Sequence, residues 1–313
     1  MAIVFFGSPD FAVTILEALV HAGVHVSAVV TQPDKPAGRG NQLKPPAVKA
    51  FALARGMACY QPVKVRDGGL AQWLREQQPD LAVVAAYGRI LTQEVLDVPR
   101  LGCVNVHASL LPRWRGASPI ARAIAAGDKQ AGVCLMQMDA GLDTGPELAR
   151  AALPISDDDT TPVLQTKLAA LGGQLLVQHW AQLLGGELVA RPQPTEGITW
   201  APPIEKAEGQ LQLALPAVAL HAQVRAMQPW PGAILRTVLG EDWKIGAQGL
   251  QVRQGQGRVG TIAGIDRERV WLQCGVDQVG VAWLQRPNKT AAPAPDVLRG
   301  VRLDPAASLV GDG

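Results

Sequence analysis

The first two-thirds of the 313-residue sequence alternates short apolar runs with segments that place apolar residues at helical spacing. The runs read AIVFFG, VHVSAVV, DLAVVAAYG, LGCVNVH and GVCLMQM, and helical stretches such as PDFAVTILEALVHAG and SPIARAIAAGD lie among them. Strands that are apolar throughout are typical of a parallel sheet with helices on both faces. The alternation therefore predicts a doubly wound, mostly parallel, Rossmann-like α/β sheet.

The loop after the first apolar run argues against a dinucleotide site in this sheet. It reads Gly7-Ser8-Pro9-Asp10, without the G-x-G-x-x-G pattern that lets backbone approach a pyrophosphate. Pro9 also lacks the amide N–H that such a site would use. The prediction is a Rossmann-like sheet without a dinucleotide fingerprint.

The pattern changes after the proline-rich stretch GGELVARPQPTEGITWAPP, which reads as a linker. Beyond it, short Val, Ile, Leu and Trp segments alternate with Gly-rich turns, as in GAILRTVLG, GRVGTIAGI and VGVAWLQ. Several short strands at this spacing favour a small β-barrel. We therefore expect a first domain over 1–189, a linker over 190–207 and a β-rich second domain over 208–313.

Cysteine usage and hydropathy predict a cytoplasmic protein. The four cysteines are scattered without a C-x-x-C pair, the start MAIVFFGSPDF has no basic n-region, and no run reaches the length of a membrane span. We expect neither a secretory signal nor contact with a membrane. A metal site is not expected either, since the closely spaced His21 and His25 have no accompanying carboxylate pattern.

Positive charge is concentrated in one stretch. The formal net charge is only +2, yet Lys35 to Arg66 contains seven basic residues and no acidic one. Two interpretations stay open for this stretch. In the first, the stretch contacts a polyanion; in the second, it is a solvent-exposed helix face that carries only positive charges instead of the usual mixture.

Three polar residues stand where apolar strands are predicted to end. Asn105 and His107 close the strand LGCVNVH, and Asp143 lies in the Gly-flanked loop DAGLDTGP after another strand. Singly they have ordinary explanations, as a turn former, a core histidine and a loop carboxylate. Ligands of open α/β sheets bind outside the carboxyl ends of strands, so an amide, an imidazole and a carboxylate can meet there.

This set has no nucleophile of its own, because no G-x-S-x-G elbow surrounds Ser109. It suits transfer of an acyl-type group to a nucleophile that the substrate supplies. Asn105 and His107 would donate hydrogen bonds to the oxyanion of a tetrahedral intermediate. Asp143 would orient or charge the imidazole and help remove a proton from an attacking amine.

The segment NVHASLLPRWRGASPIARAI, followed by GLDTG, resembles the signature of the 10-formyltetrahydrofolate-dependent formyltransferases. The resemblance implies that Asn105, His107 and Asp143 are catalytic and that 10-formyltetrahydrofolate is the formyl donor. The residues that match the family's folate-binding segment are Ser109, Leu110, Leu111 and Pro112. Ala108 stands where the family usually has glycine.

Within that family, TQPDKPAGRG at 31–40 is similar to a loop that some members place against the acceptor arm of initiator tRNA. Arg39 matches the key arginine of that loop, and we expect tRNA contacts from Lys35, Arg39 and Lys44. The resemblance further implies formylation of the α-amino group of initiator methionyl-tRNA, an OB-like second domain that binds tRNA, and a monomer.

Other functions stay open from the sequence. A nucleotide-sugar formyltransferase would share the Asn-His-Asp set, but has no need of a basic loop for a polynucleotide. A glycinamide ribonucleotide formyltransferase would be shorter and lack the second domain. A catalytically silent RNA- or folate-binding protein would have no need of all three polar residues. The role of Arg113 and Arg115 also stays open: either they contact anions or they are ordinary surface residues.

Overall fold

The computed structural model describes residues 1–37, 42–301 and 309. Within these residues the chain folds as two units. The N-terminal unit comprises residues 1–119, 130–153 and 165–202, and the C-terminal unit comprises 120–129, 154–164 and the described part of 203–313.

Strands and helices alternate along the first two-thirds of the chain, as the sequence predicts. The strands are β1 (Ile3–Gly7), β2 (Val26–Val30), β3 (Lys35–Ala37), β4 (Gln42–Lys44), β5 (Ala58–Tyr60), β6 (Leu81–Ala85), β7 (Cys103–His107), β8 (Arg115–Gly116), β9 (Gln130–Gln137), β10 (Glu147–Pro154) and β11 (Trp200–Ala201). The helices are α1 (Asp10–His21), α2 (Ala47–Ala54), α3 (Gly69–Gln77), α4 (Gln93–Leu96), α5 (Pro119–Ala125), α6 (Thr161–Gln178) and α7 (Trp180–Gly185).

Seven of these strands form one sheet in the order β10-β9-β7-β6-β1-β2-β5. The five strands from β7 to β5 run parallel, whereas β9 runs antiparallel to β7. Every residue of β1 and β6 is buried, which explains why these runs are apolar throughout. The parallel strands all end at the same edge of the sheet, the edge at which His107 lies.

Two elements differ from the sequence-based expectation. The sequence from about Thr160 to Leu184, which ends at Gly185-Gly186, predicts one long helix. The structure divides it at His179 into α6 and α7. No helix is predicted from the sequence for 69–77, where the structure has α3. Only Leu70, Ala71 and Leu74 of α3 are buried, so its apolar face is narrow and its periodicity weak.

The C-terminal unit contains two antiparallel four-stranded sheets, in the orders β12-β13-β18-β19 and β14-β17-β16-β15. Their elements are a 3₁₀ turn (Lys206–Gly209), α8 (Ala217–Ala226), β12 (Ala233–Arg236), β13 (Asp242–Ile245), β14 (Gln251–Arg253), β15 (Ile262–Ile265), β16 (Val270–Gln273), β17 (Gln278–Val281), β18 (Trp283–Gln285), β19 (Ala292–Pro293) and α9 (Ala294–Arg299). Residues of both sheets pack into one hydrophobic core around the fully buried Trp243. This barrel-like arrangement and the parallel-dominated sheet confirm the predicted fold class.

Across residues 1–37, 42–301 and 309, none of the helices has both the length and the apolar character needed to cross a bilayer. The same residues contain no cluster of three or more His, Cys, Asp or Glu side chains with the geometry to hold a metal ion.

Candidate active site

Strand β7 presents Asn105 and His107 to the same side of the sheet. Residues two apart in a strand share a face, and both side chains approach the same carboxylate. His107 is buried and Asn105 is half-buried. The strand thus holds an amide donor and an imidazole side by side on a rigid element.

Asp143 reaches this pair by a different route from the one expected. Because β9 is antiparallel to β7, the end of β9 at Gln137 pairs with Val104, close to the beginning of β7. The loop between β9 and β10 then brings Asp143 back to the two side chains. The expectation that both strands end at the same edge of the sheet is therefore wrong for β9, although the three residues do come together.

The distances define a compact cluster around the Asp143 carboxylate. Asn105 Nδ2 lies 3.4 Å from Asp143 Oδ1, and His107 Nδ1 lies 3.6 Å from the same oxygen. Asp143 Oδ2 accepts a 2.8 Å hydrogen bond from the backbone N–H of Gly116. One oxygen therefore faces the amide and the imidazole, while the other is held by backbone.

The other imidazole nitrogen is fixed by a backbone carbonyl. His107 Nε2 lies 3.1 Å from the carbonyl oxygen of Trp114. Since a carbonyl oxygen only accepts, this contact places a proton on Nε2. Nδ1, the other ring nitrogen, is the atom that faces Asp143.

The cysteines of the neighbouring strands offer no nucleophile. Burial raises the pKa of Cys103 and the pKa of Cys134 to about 12, so both thiols are protonated at neutral pH. The Ser109 hydroxyl donates a 2.6 Å hydrogen bond to the Arg113 carbonyl oxygen and is buried. These three groups are therefore unsuited to covalent catalysis.

The segment from Ser109 to Pro112 lies just after β7, and its side chains alternate between buried and half-buried. Ser109 and Leu111 are buried, whereas Leu110 and Pro112 are half-buried. The Leu111 carbonyl oxygen accepts a 3.2 Å hydrogen bond from Arg150 Nη2, and Arg150 is ion-paired with Glu147. A ligand at this segment would therefore reach Leu110, Pro112 and backbone rather than the serine hydroxyl.

The segment that follows β2 forms an exposed hairpin. Lys35 in β3 and Lys44 in β4 are directly opposite partners, and both are exposed. The base of the hairpin is held by Lys49, which is ion-paired with Asp34 at 2.8 Å and donates to Gln61 Oε1 at 2.7 Å. Arg39 lies outside the described residues.

The residues that support the cluster are not among those predicted from the sequence. Arg115 is only 7% exposed, so it is not a surface residue, and its Nε and Nη2 donate to Gln193 Oε1. The Trp114 carbonyl and the Gly116 amide act through backbone, which side-chain patterns do not reveal. Gln193 lies in the proline-rich stretch, where its residue type alone gives no signal. Ala108 has no positive φ, so alanine fits at that position.

Two family models match the chain, one over each part of its length. The model described as formyl transferase matches residues 1–180, and the model described as formyl transferase, C-terminal domain, matches residues 203–302. The chain belongs to the formyl transferase family and is an enzyme of that class.

Several relatives share nearly the full length of the chain. A methionyl-tRNA formyltransferase of Aromatoleum aromaticum is 47% identical over 302 residues, which cover 96% of this chain and 94% of the relative. That of Stenotrophomonas maltophilia strain K279a is 49% identical over 304 residues, covering 96% and 98%.

Solved structures show the same fold at low identity. WlaRD, a sugar 3N-formyl transferase, has a TM-score of 0.67 at 17% identity and covers 93% of this chain and 99% of its own. HypX from Aquifex aeolicus, in complex with tetrahydrofolic acid, has a TM-score of 0.61 at 16% identity. That match covers 97% of this chain, which spans about half (48%) of the HypX chain.

Proposed function

We propose that this formyl transferase transfers the formyl group of 10-formyltetrahydrofolate to the α-amino group of initiator methionyl-tRNA, giving N-formylmethionyl-tRNA for translation initiation. The observation that carries the proposal is the near full-length similarity, close to half identical, to methionyl-tRNA formyltransferases. The cluster of Asn105, His107 and Asp143 supplies donors and a carboxylate suited to this reaction.

The donor supplies a formyl group on nitrogen, whose carbonyl oxygen becomes negative when an amine adds to its carbon. The new bond joins the α-amino nitrogen to that carbon, the old carbon–nitrogen bond to the folate breaks, and the amine proton passes to the folate nitrogen. Leu110 and Pro112 are half-buried next to β7 and offer apolar side chains to the ring system of a folate.

Asn105 and His107 stabilise the developing oxyanion. An amide nitrogen carries two N–H groups, so the long contact with Asp143 leaves one N–H of Asn105 for the oxyanion. The Nε2–H of His107 is engaged by Trp114, and its Nδ1 donates to the oxyanion once it holds a proton. The Asp143 carboxylate at 3.6 Å stabilises the positive charge of that imidazolium and assists removal of the amine proton.

The basic hairpin supports a polynucleotide acceptor. Like charges directly opposite each other in a two-stranded hairpin repel, so a stem with Lys35 facing Lys44 gains from an anion bound across it. The hairpin follows the carboxyl end of β2, which runs parallel to β1, β6 and β7. It therefore leaves the sheet at the edge where His107 lies. We propose that Lys35, Arg39 and Lys44 contact tRNA phosphates.

The Lys35→Ala/Lys44→Ala double variant tests these contacts. Removing one lysine that meets a phosphate should reduce the slope of log K against log salt by about 1, so the double variant should reduce it by about 2. Binding of methionyl-tRNA would be measured at several salt concentrations, with Lys167→Ala, an exposed lysine on α6, as the charge control. Arg39→Ala should also weaken binding and flatten the slope. An unchanged slope in the double variant would show that the stem does not meet phosphate.

The remaining parts of the proposal concern organisation and location. We propose a catalytic domain over 1–189, a linker over 190–207 and a C-terminal tRNA-binding domain of OB-like type over 208–313. The matches of the two family models to 1–180 and 203–302 support this division. We propose a cytoplasmic monomer, in keeping with an acceptor that belongs to translation.

The direct test is product identification by mass. Protein, 10-formyltetrahydrofolate and methionyl-tRNA would be incubated together, and N-formylmethionyl-tRNA is the expected product. Binding of the folate without turnover would instead support a silent folate-binding protein.

A further inference from the structure

A glutamine from the proline-rich stretch connects two parts of the candidate active site. Gln193 Nε2 donates to the carbonyl oxygens of Asp143 and Gly145, both at 2.8 Å. Its Oε1 accepts from Arg115, from Nε at 3.1 Å and from Nη2 at 2.7 Å. One side chain thus holds the backbone of the Asp143 loop to a buried guanidinium.

These bonds close a ring around Asp143. Gly116 follows Arg115 in the chain, and its N–H donates to Asp143 Oδ2 at 2.8 Å. The ring runs from the Asp143 carboxylate through Gly116, Arg115 and Gln193 back to the Asp143 carbonyl oxygen. Asp143 is therefore held by its side chain and by its own backbone at the same time.

The backbone of Asp143 needs such support. Its φ of 53° lies in the left-handed region, which is uncommon for residues other than glycine. A conformation of this kind persists only where the surroundings determine it, and functional sites are where it is found. Arg115, almost wholly buried, in turn needs an acceptor for its charge, and Gln193 provides one.

We propose that Gln193 is a positioning residue, which sets the carboxylate of Asp143 against Asn105 and His107. The proposal rests on the formyl transfer function and deepens it, because it makes the proline-rich stretch a part of the catalytic machinery. Gln193 acts through Asp143. Its hydrogen bonds within the part of the chain that the structure describes include none to the side chains of Asn105 or His107.

The Gln193→Leu variant removes both the hydrogen bonds to the Asp143 loop and the acceptor for Arg115. We expect kcat for formyl transfer to fall by about 10²-fold, the scale of a small misplacement of a reacting group, while KM for donor and acceptor stays near the wild-type value. Gln72→Leu is the control, because Gln72 is a glutamine of α3 outside the cluster, and its Nε2 donates to Glu76 Oε1 at 3.0 Å. The control should keep the wild-type kcat.

An Asp143→Ala background separates positioning from general stability. If Gln193 acts through Asp143, the Gln193→Leu change should cause no further loss of the single-turnover rate in that background. An equal loss in both backgrounds would overturn the proposal, since the glutamine would then act independently of the carboxylate.

Gln193→Glu keeps the test valid if Gln193→Leu does not fold. The carboxylate still accepts from Arg115, so the stretch stays attached, but it no longer donates to the two loop carbonyls. We expect a loss of kcat similar to that of the leucine variant, and a wild-type kcat would overturn the proposal.

All rates would be measured with the acceptor that the wild-type enzyme uses. If the wild-type enzyme does not formylate methionyl-tRNA, the proposed function is contradicted. If it is active but the losses caused by Gln193→Leu and Asp143→Ala are additive, only the positioning role of Gln193 is contradicted.

Discussion

Replacing Asn105 or His107 by alanine is expected to reduce kcat for formyl transfer by about 10²- to 10³-fold, the cost of losing one oxyanion donor. Both side chains lie on β7 and approach the Asp143 carboxylate at 3.4 Å and 3.6 Å. The oxyanion exists only in the transition state and the intermediate, so KM should change much less than kcat. Steady-state rates with 10-formyltetrahydrofolate and methionyl-tRNA would measure both.

His25→Ala provides the control for the histidine variant, because His25 is exposed before β2. It should retain wild-type kcat and stability. Near-normal kcat in both Asn105→Ala and His107→Ala would contradict the roles that we assign to the two residues.

Gly145→Ala is expected to disturb the site without removing any functional group. A Cβ at this position would lie 1.8 Å from the carbonyl oxygen of Gln137, a backbone atom at the end of β9, so the loop must move. Gly145 also provides one of the two carbonyl oxygens that Gln193 holds. We expect a loss of about 10²-fold in kcat from displacement of Asp143 and a free energy of unfolding lower by roughly 1–3 kcal/mol.

The matched change is Gly69→Ala at the start of α3. There a Cβ would meet its nearest neighbour, Asp67 Oδ1, at 3.4 Å, an ordinary contact. That variant should unfold at the wild-type denaturant concentration or slightly above it. A Gly145→Ala enzyme with wild-type kcat would show that the loop can shift without affecting catalysis.

Much of the fold could be predicted from the sequence, and so could the placement of Asn105 and His107 on one face of a strand. The strands β1 and β6 can be recognised as continuous apolar runs because they are buried along their whole length. The spacing of Asn105 and His107 is readable as well, since residues two apart in a strand share a face. The direction of β9 could not be predicted, because a buried strand has the same apolar pattern whether it pairs parallel or antiparallel with its neighbour.

The supporting contacts could not be predicted, for physical reasons. Trp114 and Gly116 act through a carbonyl and an amide, which every residue type possesses. Gln193 lies 50 residues from Asp143 in the sequence, within a proline-rich stretch that also reads as a linker. Its role depends on tertiary contacts, which local pattern does not encode.

The choice of acceptor is the most direct test of the proposed function. The purified protein and 10-formyltetrahydrofolate would be offered initiator methionyl-tRNA and a UDP-amino sugar in parallel, and the products would be identified by mass. We predict N-formylmethionyl-tRNA and no formylated sugar. A formylated sugar without formylated tRNA would contradict the proposed function, since the enzyme would then use a different acceptor and the basic hairpin would not serve to bind tRNA.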